Sequence, residues 1–382
     1  MWIQALTLTD FRSYETLSLE FEQGVNLLIG PNGQGKTNIV EAIAYLATLS
    51  SHRVAADAPL VRMNAASAVI ATRVVEGDRA ITIEFQINPG RANKVRINRA
   101  AAAKARDALG LIRTVVFAPE DLAIVKGDPS ERRHFMDQLL IQRTPRMAGV
   151  IADYERVVKQ RNALLKSASV ARGSSSVPET LQVWDEQLSA FGAEITAARI
   201  STLQDMSDPV TGAYRDVAGA ERAVSPTELT MTYVAKALGE QSNPGADVDA
   251  WRDILASALL DRRRDELGRG LTLVGPHRDD IALGLGELPV KGFASHGEAW
   301  SVALALRLGS ATVLRNDGID PIVVLDDVFA ELDVARRERL IELIAPSTQV
   351  FITAAVEQDV PQLLSACRFV VSRGAAARKV DS

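Results

Sequence analysis

The sequence lacks the features that are typical of secreted and membrane-spanning proteins. Its single cysteine, Cys367, cannot form a disulfide within the chain, so a reducing cytoplasm is the expected compartment. No run of about 18 apolar residues is present, and we expect no membrane span. The first residues lack a basic stretch followed by an apolar one, so no signal peptide is expected. The histidines lack metal-ligand spacing, and no zinc site is expected.

Aromatic residues are also scarce, at 5% of the 382 residues, and the formal net charge is −5. The charge is uneven along the chain, however. Residues 62–113 contain ten basic and four acidic side chains, and residues 131–172 contain nine basic and four acidic. This asymmetry predicts a locally positive surface that contacts a nucleic-acid backbone rather than stacking on bases. The alternative is that both segments are ordinary solvated faces of strands and helices.

The strongest motif is a complete phosphate-binding loop after a short apolar strand at 25–29 and before an apolar-faced helix at 38–46. It reads Gly30-Pro31-Asn32-Gly33-Gln34-Gly35-Lys36-Thr37. In such a loop the backbone N–H groups and the helix N-terminus surround the phosphates of a nucleoside triphosphate. Lys36 then contacts the β- and γ-phosphates, and the Thr37 hydroxyl binds Mg²⁺. Asn38, the next residue, is a further nucleotide-binding candidate.

Two acids follow an uninterrupted apolar strand at 321–325. Because ligands bind at the carboxyl ends of parallel strands, Asp326 is predicted to hold Mg²⁺ through water and Asp327 to orient or activate the attacking water. Two further segments are candidate sites. Ser295-His296-Gly297-Glu298 begins a long helix and predicts a second anion site, with simple helix capping by Ser295 as the alternative. Glu331-Leu332-Asp333 follows the paired acids, with a solvated helix start as the alternative.

The pattern along the chain predicts α/β segments at both ends and helices between them. Strands are predicted at 1–8, 15–21, 25–29, 69–75, 80–87, 113–117, 321–325 and 348–353. Helices are predicted at 131–142, 145–170, 179–206, 248–267, 299–308 and 334–344, with a flexible break at 173–178. The central helices form either an antiparallel arm or a compact subdomain.

These motifs, in this order, resemble the heads of ABC-type and SMC ATPases, and most specifically the RecF family of bacterial recombination and gap-repair proteins. The motifs span residues 11–333. They are Phe11-Arg12-Ser13-Tyr14, the phosphate loop, Pro119-Glu120-Asp121-Leu122, Gly127 to Asp137, Gly275-Pro276-His277-Arg278-Asp279-Asp280, Ser295 to Glu298 and Leu325 to Asp333. The resemblance implies an ABC-type P-loop ATPase head with a mixed β-sheet, formed by 1–129 and 266–382, and a helical insertion arm at 130–265.

The same resemblance implies a dimer that sandwiches ATP. Each nucleotide would lie between Lys36 and Thr37 of one subunit and Ser295 and Gly297 of the other. Further implied roles place Arg12 near the phosphates, Glu120 where such heads sense Mg²⁺, and Asp333 across the interface. The chain departs from transporter-type heads, since Asp327 replaces a glutamate and no histidine follows the strand at 348–353. A slow ATP switch is therefore expected rather than rapid turnover.

The function implied by the resemblance is ATP-dependent binding of DNA at gaps or single-strand/double-strand junctions. The protein would close on DNA as a dimer, help recombination mediators load recombinase, and act in replication-fork repair and the SOS response. ATP and Mg²⁺ are the expected cofactors. The rival interpretation is a transporter-type ATPase subunit, which the basic segments and the missing histidine disfavour.

Overall fold

The computed structural model describes residues 1–54, 56–170, 177–218, 228–239, 242–361 and 366–379. The chain divides into two compact units. Unit 1 comprises Met1–Ala123, Pro209–Pro226 and Ser295–Ser382, and unit 2 comprises Ile124–Asp208 and Thr227–Ala294. No helix in the described ranges combines the length and apolar character needed to cross a membrane.

An antiparallel sheet forms one part of unit 1. Its strands alternate buried and exposed residues, as in β1, where Leu6 and Leu8 are buried and Thr7 and Thr9 are exposed. The strand order is β2-β1-β4-β5-β6-β7. Its strands are β1 (Trp2–Phe11), β2 (Tyr14–Glu20), β4 (Ala68–Glu76), β5 (Arg79–Ile87), β6 (Lys94–Ile97) and β7 (Ala100–Ala101). The predicted pairing of the strands near 69–75 and 80–87 is confirmed.

A second, mostly parallel sheet of unit 1 carries the phosphate loop. Its order is β15-β14-β3-β13-β12-β8, and only β14 and β15 pair antiparallel. Every residue of β12 and β13 is buried, as expected for strands covered on both faces. The carboxyl ends of β3, β12 and β13 lie at one edge. The strands are β3 (Gly24–Ile29), β8 (Thr114–Phe117), β12 (Ile322–Asp326), β13 (Gln349–Ala354), β14 (Ala366–Ser372) and β15 (Ala375–Arg378).

Helices cover these sheets. Helix α1 (Lys36–Thr48) packs on β8, β12 and β13, and one hydrophobic core contains side chains from α1 and from both sheets. A short helix, α2 (Leu122–Lys126), follows β8. Helix α8 (His296–Asn316) packs against β8, and α9 (Val334–Ile344) connects β12 to β13.

Unit 2 is mainly helical but contains a sheet that the sequence interpretation missed. Its helices include α3 (Pro129–Arg143), α4 (Met147–Val170), α6 (Val248–Arg269) and the short α7 (Val290–Phe293). The sheet has the order β11-β10-β9, with β9 at Leu229–Val234, β10 at Asp280–Leu285 and β11 at Leu288–Pro289.

This sheet changes the predicted domain boundary. The prediction assigned 266–294 to the ATPase head, whereas the structure places this segment in unit 2. The reason is that β10 pairs antiparallel with β9 along its whole length, which ties the segment to 227–294. The insertion is therefore not purely helical.

Helix α5 (Val177–Ala218) differs from its predicted end at residue 206. It continues through Pro209 because Val210 and Val217 are fully buried and extend its apolar face. The contact with α8 is close enough that a Cβ on Gly309 would lie 2.3 Å from Val210 Cγ2. This packing explains why the end of α5, from Pro209 to Ala218, belongs to unit 1. The predicted flexible break at 173–178 lies, as far as residue 176, outside the described residues.

The Gly275–Asp280 motif lies in a polar network inside unit 2. Arg132 binds both carboxylate oxygens of Asp280, and the buried Arg199 donates to Asp137 and to the Pro276 carbonyl. Burial lowers the pKa of His277 to about 4 and raises that of Asp279 to about 6. These contacts give the motif a structural role within unit 2.

Candidate nucleotide-binding site

The phosphate loop lies between β3 and α1, where two glycines permit close approach of other groups. Gly35 caps α1 with a φ of 109°, and a Cβ there would lie 2.7 Å from the Tyr14 hydroxyl oxygen. A Cβ on Gly30 would lie 2.2 Å from the carbonyl oxygen of Val371. The Tyr14 hydroxyl donates to the Gly35 carbonyl at 3.2 Å and so fixes the end of the loop.

Lys36 is the first residue of α1 and is only 4% exposed. Its Nζ donates to the Gly30 carbonyl at 2.7 Å, to the Pro31 carbonyl at 3.3 Å and to Asn32 Oδ1 at 3.4 Å. The loop therefore binds the ammonium group of Lys36 and would also surround the triphosphate. Two further candidates, Gly33 and Gln34, complete the turn.

Side-chain oxygens that could bind a metal ion lie close together where α1, β12 and β13 meet. The hydroxyls of Thr37 and Thr353 donate to Asp326 Oδ1 at 3.0 and 2.7 Å. Hydroxyl and carboxylate oxygens are the ligands that Mg²⁺ prefers in such sites, so these residues fit that ion. Thr353 was not predicted. It also accepts a hydrogen bond from the Asp327 amide at 2.9 Å, which fixes the turn after β12.

Asp327 follows β12 with a φ of 54° in the left-handed region. Asp327 lines a pocket of about 210 Å³ together with Asn32, Pro119, Thr353 and Asp359, among others. Burial raises the pKa of Asp327, Lys36 lowers it, and the neighbouring acids Asp326 and Asp359 raise it further. A carboxyl group with a raised pKa beside an open pocket suits the orientation or activation of a water molecule.

Arg12 lies beside α1 and binds a glutamate that the sequence interpretation did not single out. Its Nε and Nη2 donate to the fully buried carboxylate of Glu41 at 2.8 and 2.5 Å. Arg53 also contacts Glu41, and it donates to Asn38 Oδ1 at 3.2 Å. Asn38 in turn donates to Ser13 Oγ at 2.9 Å. Arg12 and Asn38 therefore join one polar cluster at the start of α1.

Ser295 forms a capping box at the start of α8. Its Oγ accepts from the Glu298 amide at 3.3 Å, and Glu298 Oε2 accepts from the Ser295 amide at 2.8 Å. Asp333 caps α9 by accepting from the Arg336 amide at 2.9 Å, and it also accepts from Arg336 Nη1 at 2.7 Å. A Cβ on Gly297 would lie 3.3 Å from Arg336 Nη2. Arg336, which was not predicted, thus connects the two segments.

Glu120 is exposed in the short helical turn after β8. Its neighbour Asp121 is buried and accepts from Arg307 Nη2 at 2.6 Å and from the Ala118 amide at 3.0 Å. Asp121 therefore anchors the turn to α8 and leaves the carboxyl group of Glu120 on the surface.

The two basic segments differ in their surroundings. Residues 91–106 contain no acidic residue and form the end of the antiparallel sheet, where Val95 is buried. Its exposed cations are Arg91, Lys94, Arg96, Arg99, Lys104 and Arg106. We call these six residues the basic edge. One of them, Arg96, forms an exposed ion pair with Glu84.

Arginines of residues 131–172 instead form ion pairs within unit 2. Arg132 pairs with Asp280, Arg143 with Asp205 and Arg146 with Glu194. The fully buried Arg161 pairs with Asp185 and Glu266. For these arginines the prediction of a positive surface is wrong, because carboxylates distant in sequence neutralise them.

Comparisons with known proteins agree with this geometry. The family model for the RecF/RecN/SMC N-terminal domain matches residues 2–374. The DNA replication and repair protein RecF of Frankia alni is 53% identical over 381 residues, covering 99% of this chain and 100% of that protein. The protein of the same name from Streptomyces avermitilis is 51% identical, with the same coverage.

Solved structures give the same result. A structure of the recombination mediator protein RecF with ATP, in the RecFOR pathway, has a TM-score of 0.88 and 26% identity, covering 99% of this chain and 98% of that one. The Smc head domain of Pyrococcus furiosus has a TM-score of 0.54 and 15% identity, covering 100% and 96%, and so shows likeness of fold alone. The chain has the fold of an ABC-type P-loop ATPase head and belongs to the RecF family.

Proposed function

We propose that this protein is an ATP-dependent DNA-binding protein of DNA replication and recombinational repair. The observation that carries the proposal is the hydrogen bond between Thr37 and Asp326 beside a complete phosphate loop. It occurs in a chain whose full-length relatives are named DNA replication and repair proteins. The expected compartment is the cytoplasm.

The nucleotide is ATP with Mg²⁺. Loop residues 30–35 surround the phosphates with backbone N–H groups, and Lys36 exchanges its contacts with loop carbonyls for contacts with phosphate oxygens. Thr37 and Asp326 hold the metal ion, which would neutralise phosphate charge. Arg12 and Asn38, which belong to the polar cluster at the start of α1, would lie near the phosphates. Glu120 would lie near the metal ion.

Asp327 positions the water that attacks the γ-phosphate. Replacing Asp327 by asparagine should therefore keep ATP binding and slow steady-state hydrolysis by about a hundredfold, within the range of general-base effects. Phosphate release and binding of a fluorescent ATP analogue measure the two properties separately. Asp265→Asn, on the exposed face of α6, is the matched control. Hydrolysis at the parental rate would exclude Asp327 as the water-positioning group.

DNA binding is the second part of the proposal, and the basic edge supports it. Its cations are suited to phosphate contacts, since no aromatic residue lies among them in 91–106. The direct test is retention of labelled DNA carrying a single-strand/double-strand junction, with and without ATP and in the absence of any membrane. Retention that does not depend on ATP would contradict the proposed switch.

Charge reversal at the basic edge tests its role. Lys94→Glu combined with Arg99→Glu should weaken binding to duplex DNA. It should also reduce the slope of log K against log salt by about 2, because fewer counterions are released. Arg252→Glu combined with Arg262→Glu makes the same charge change on exposed arginines of α6. An unchanged salt slope for the basic-edge variant would show that the basic edge is an ordinary solvated surface that does not contact DNA.

The finer features of the proposal are an ATP-closed dimer, a preference for junctions and cooperation with recombination mediators. The dimer is supported by Gly297 and Asp333, which lie near Arg336 in unit 1, and by Ser295 at the start of the same helix as Gly297. Cooperation with mediators, loading of recombinase and a part in the SOS response are supported by the family. A solved RecF structure is described as a recombination mediator in the RecFOR pathway. The transporter-type alternative is not favoured, because the full-length relatives are replication and repair proteins.

A further inference from the structure

A histidine outside the recognised motifs lies near Asp326, one of the proposed metal ligands. His52 follows α1, and its Nε2 is 3.9 Å from Asp326 Oδ2. The side chain is 14% exposed. Within the described part of the chain, neither ring nitrogen has a hydrogen-bond partner, and both are shielded from solvent.

The loop that carries His52 is fixed on both sides. Ser51 Oγ donates to Glu41 Oε1 at 2.5 Å and accepts from the amides of Arg53 and Val54 at 3.0 and 3.3 Å. The Arg53 side chain donates to Asn38 Oδ1 at 3.2 Å. These bonds fix the chain on both sides of His52 and so limit where its imidazole can lie.

A shielded imidazole without partners is unfavourable, because burial removes its hydrogen bonds to water. Such groups are rare in folded proteins and call for a specific explanation. The carboxylate of Asp326 offers one. Both threonine hydroxyls donate to its Oδ1, whereas Oδ2 faces His52. A separation of 3.9 Å is too long for a direct hydrogen bond, so a contact between the two groups would need a water molecule that arrives with the bound metal ion.

We propose that His52 is a positioning residue for the divalent cation and that it holds a water ligand of Mg²⁺ beside Asp326. The inference rests on the proposed function, since it concerns the metal that accompanies ATP. Mg²⁺ keeps several of its waters when proteins bind it and prefers oxygen ligands, so a water-mediated contact suits a ring nitrogen better than direct ligation. His52 also shares its loop with Ser51 and Arg53, so metal binding would be coupled to the polar cluster at α1.

The test is a Mg²⁺ titration of the full chain in the presence of a fluorescent, slowly hydrolysed ATP analogue. His52→Ala should raise the Mg²⁺ concentration for half-maximal binding by about tenfold, as is common when an outer-shell partner of a metal site is lost. His52→Phe, which keeps the ring volume but has no nitrogen, should give the same shift. His52→Gln retains a hydrogen-bonding oxygen and should restore most of the parental value. His134→Ala, an exposed histidine of unit 2, is the matched control.

Two measurements separate this role from a structural one. Without Mg²⁺, all variants should bind the analogue as weakly as the parent. Without any ligand, His52→Phe should unfold at or above the parental temperature, because it removes an unpartnered polar group. A parental Mg²⁺ midpoint in His52→Phe overturns the inference, as does a lower unfolding temperature without a change in that midpoint. If a variant that lacks Lys36 binds the analogue as well as the parental protein does, the proposed nucleotide site itself is overturned.

Discussion

Replacing Lys36 by methionine should weaken ATP binding by at least about thirtyfold. Methionine keeps most of the length of the side chain, so the loss is that of the cation. Removing one partner of a hydrogen-bonded charge pair costs about 2–5 kcal/mol. By the usual conversion this weakens binding by about thirtyfold to several thousandfold. Equilibrium titration with a fluorescent ATP analogue measures the change directly.

The same variant tests whether DNA binding depends on the nucleotide. Lys36→Met should lose ATP-dependent retention on junction DNA while the basic edge stays intact. Lys126→Met, at an exposed lysine at the end of α2, should behave like the parent. Since Lys36 donates to Gly30, Pro31 and Asn32, a thermal unfolding curve without nucleotide must show that the loop still folds. Parental affinity for ATP in a folded Lys36→Met protein would disprove the assignment of the phosphate loop.

Much of unit 1 could be predicted because its signals are local. The phosphate loop needs a strand, glycines and a helix in direct succession, and residues 25–46 supply all three. The fully apolar β12 predicted a buried parallel strand, and parallel geometry then places Asp326 at the ligand edge. Thr353 was not predicted, because its contact with Asp326 follows only from the register between β12 and β13.

The failures concern pairs that are distant in sequence. The binding of Arg12 to Glu41 joins residues on different elements, and each is ordinary in its own segment. Arg161 lies in a basic segment, yet its partners Asp185 and Glu266 follow much later in the chain. The end of α5 was misplaced for a related reason, because packing of Val210 on Gly309 outweighs the local signal of Pro209. A net charge counted along the chain therefore could not reveal which cations remain on the surface.

Replacing Ser295 by arginine should eliminate ATP-induced dimerisation and hydrolysis while leaving ATP binding to one subunit intact. Ser295 is exposed at the N-terminus of α8, where backbone N–H groups would meet the partner's γ-phosphate. A bulky side chain blocks that approach, whereas residues 30–37 are untouched. Ser295→Ala is the control, because it removes only the cap, worth about 1 kcal/mol. Sizing with and without ATP measures the dimer, and phosphate release measures hydrolysis.

Mixing Ser295→Arg with Lys36→Met separates a composite site from a simple helix cap. If each nucleotide lies between the phosphate loop of one subunit and Ser295 of the other, a mixed dimer gathers both defects in one site. Its second site combines two intact surfaces and should bind and hydrolyse ATP, although neither variant hydrolyses ATP alone. Activity that never exceeds that of the separate variants would contradict the shared site. Normal ATP-induced dimerisation of Ser295→Arg by itself would leave Ser295 with the role that the structure already gives it, the capping of α8 through Glu298.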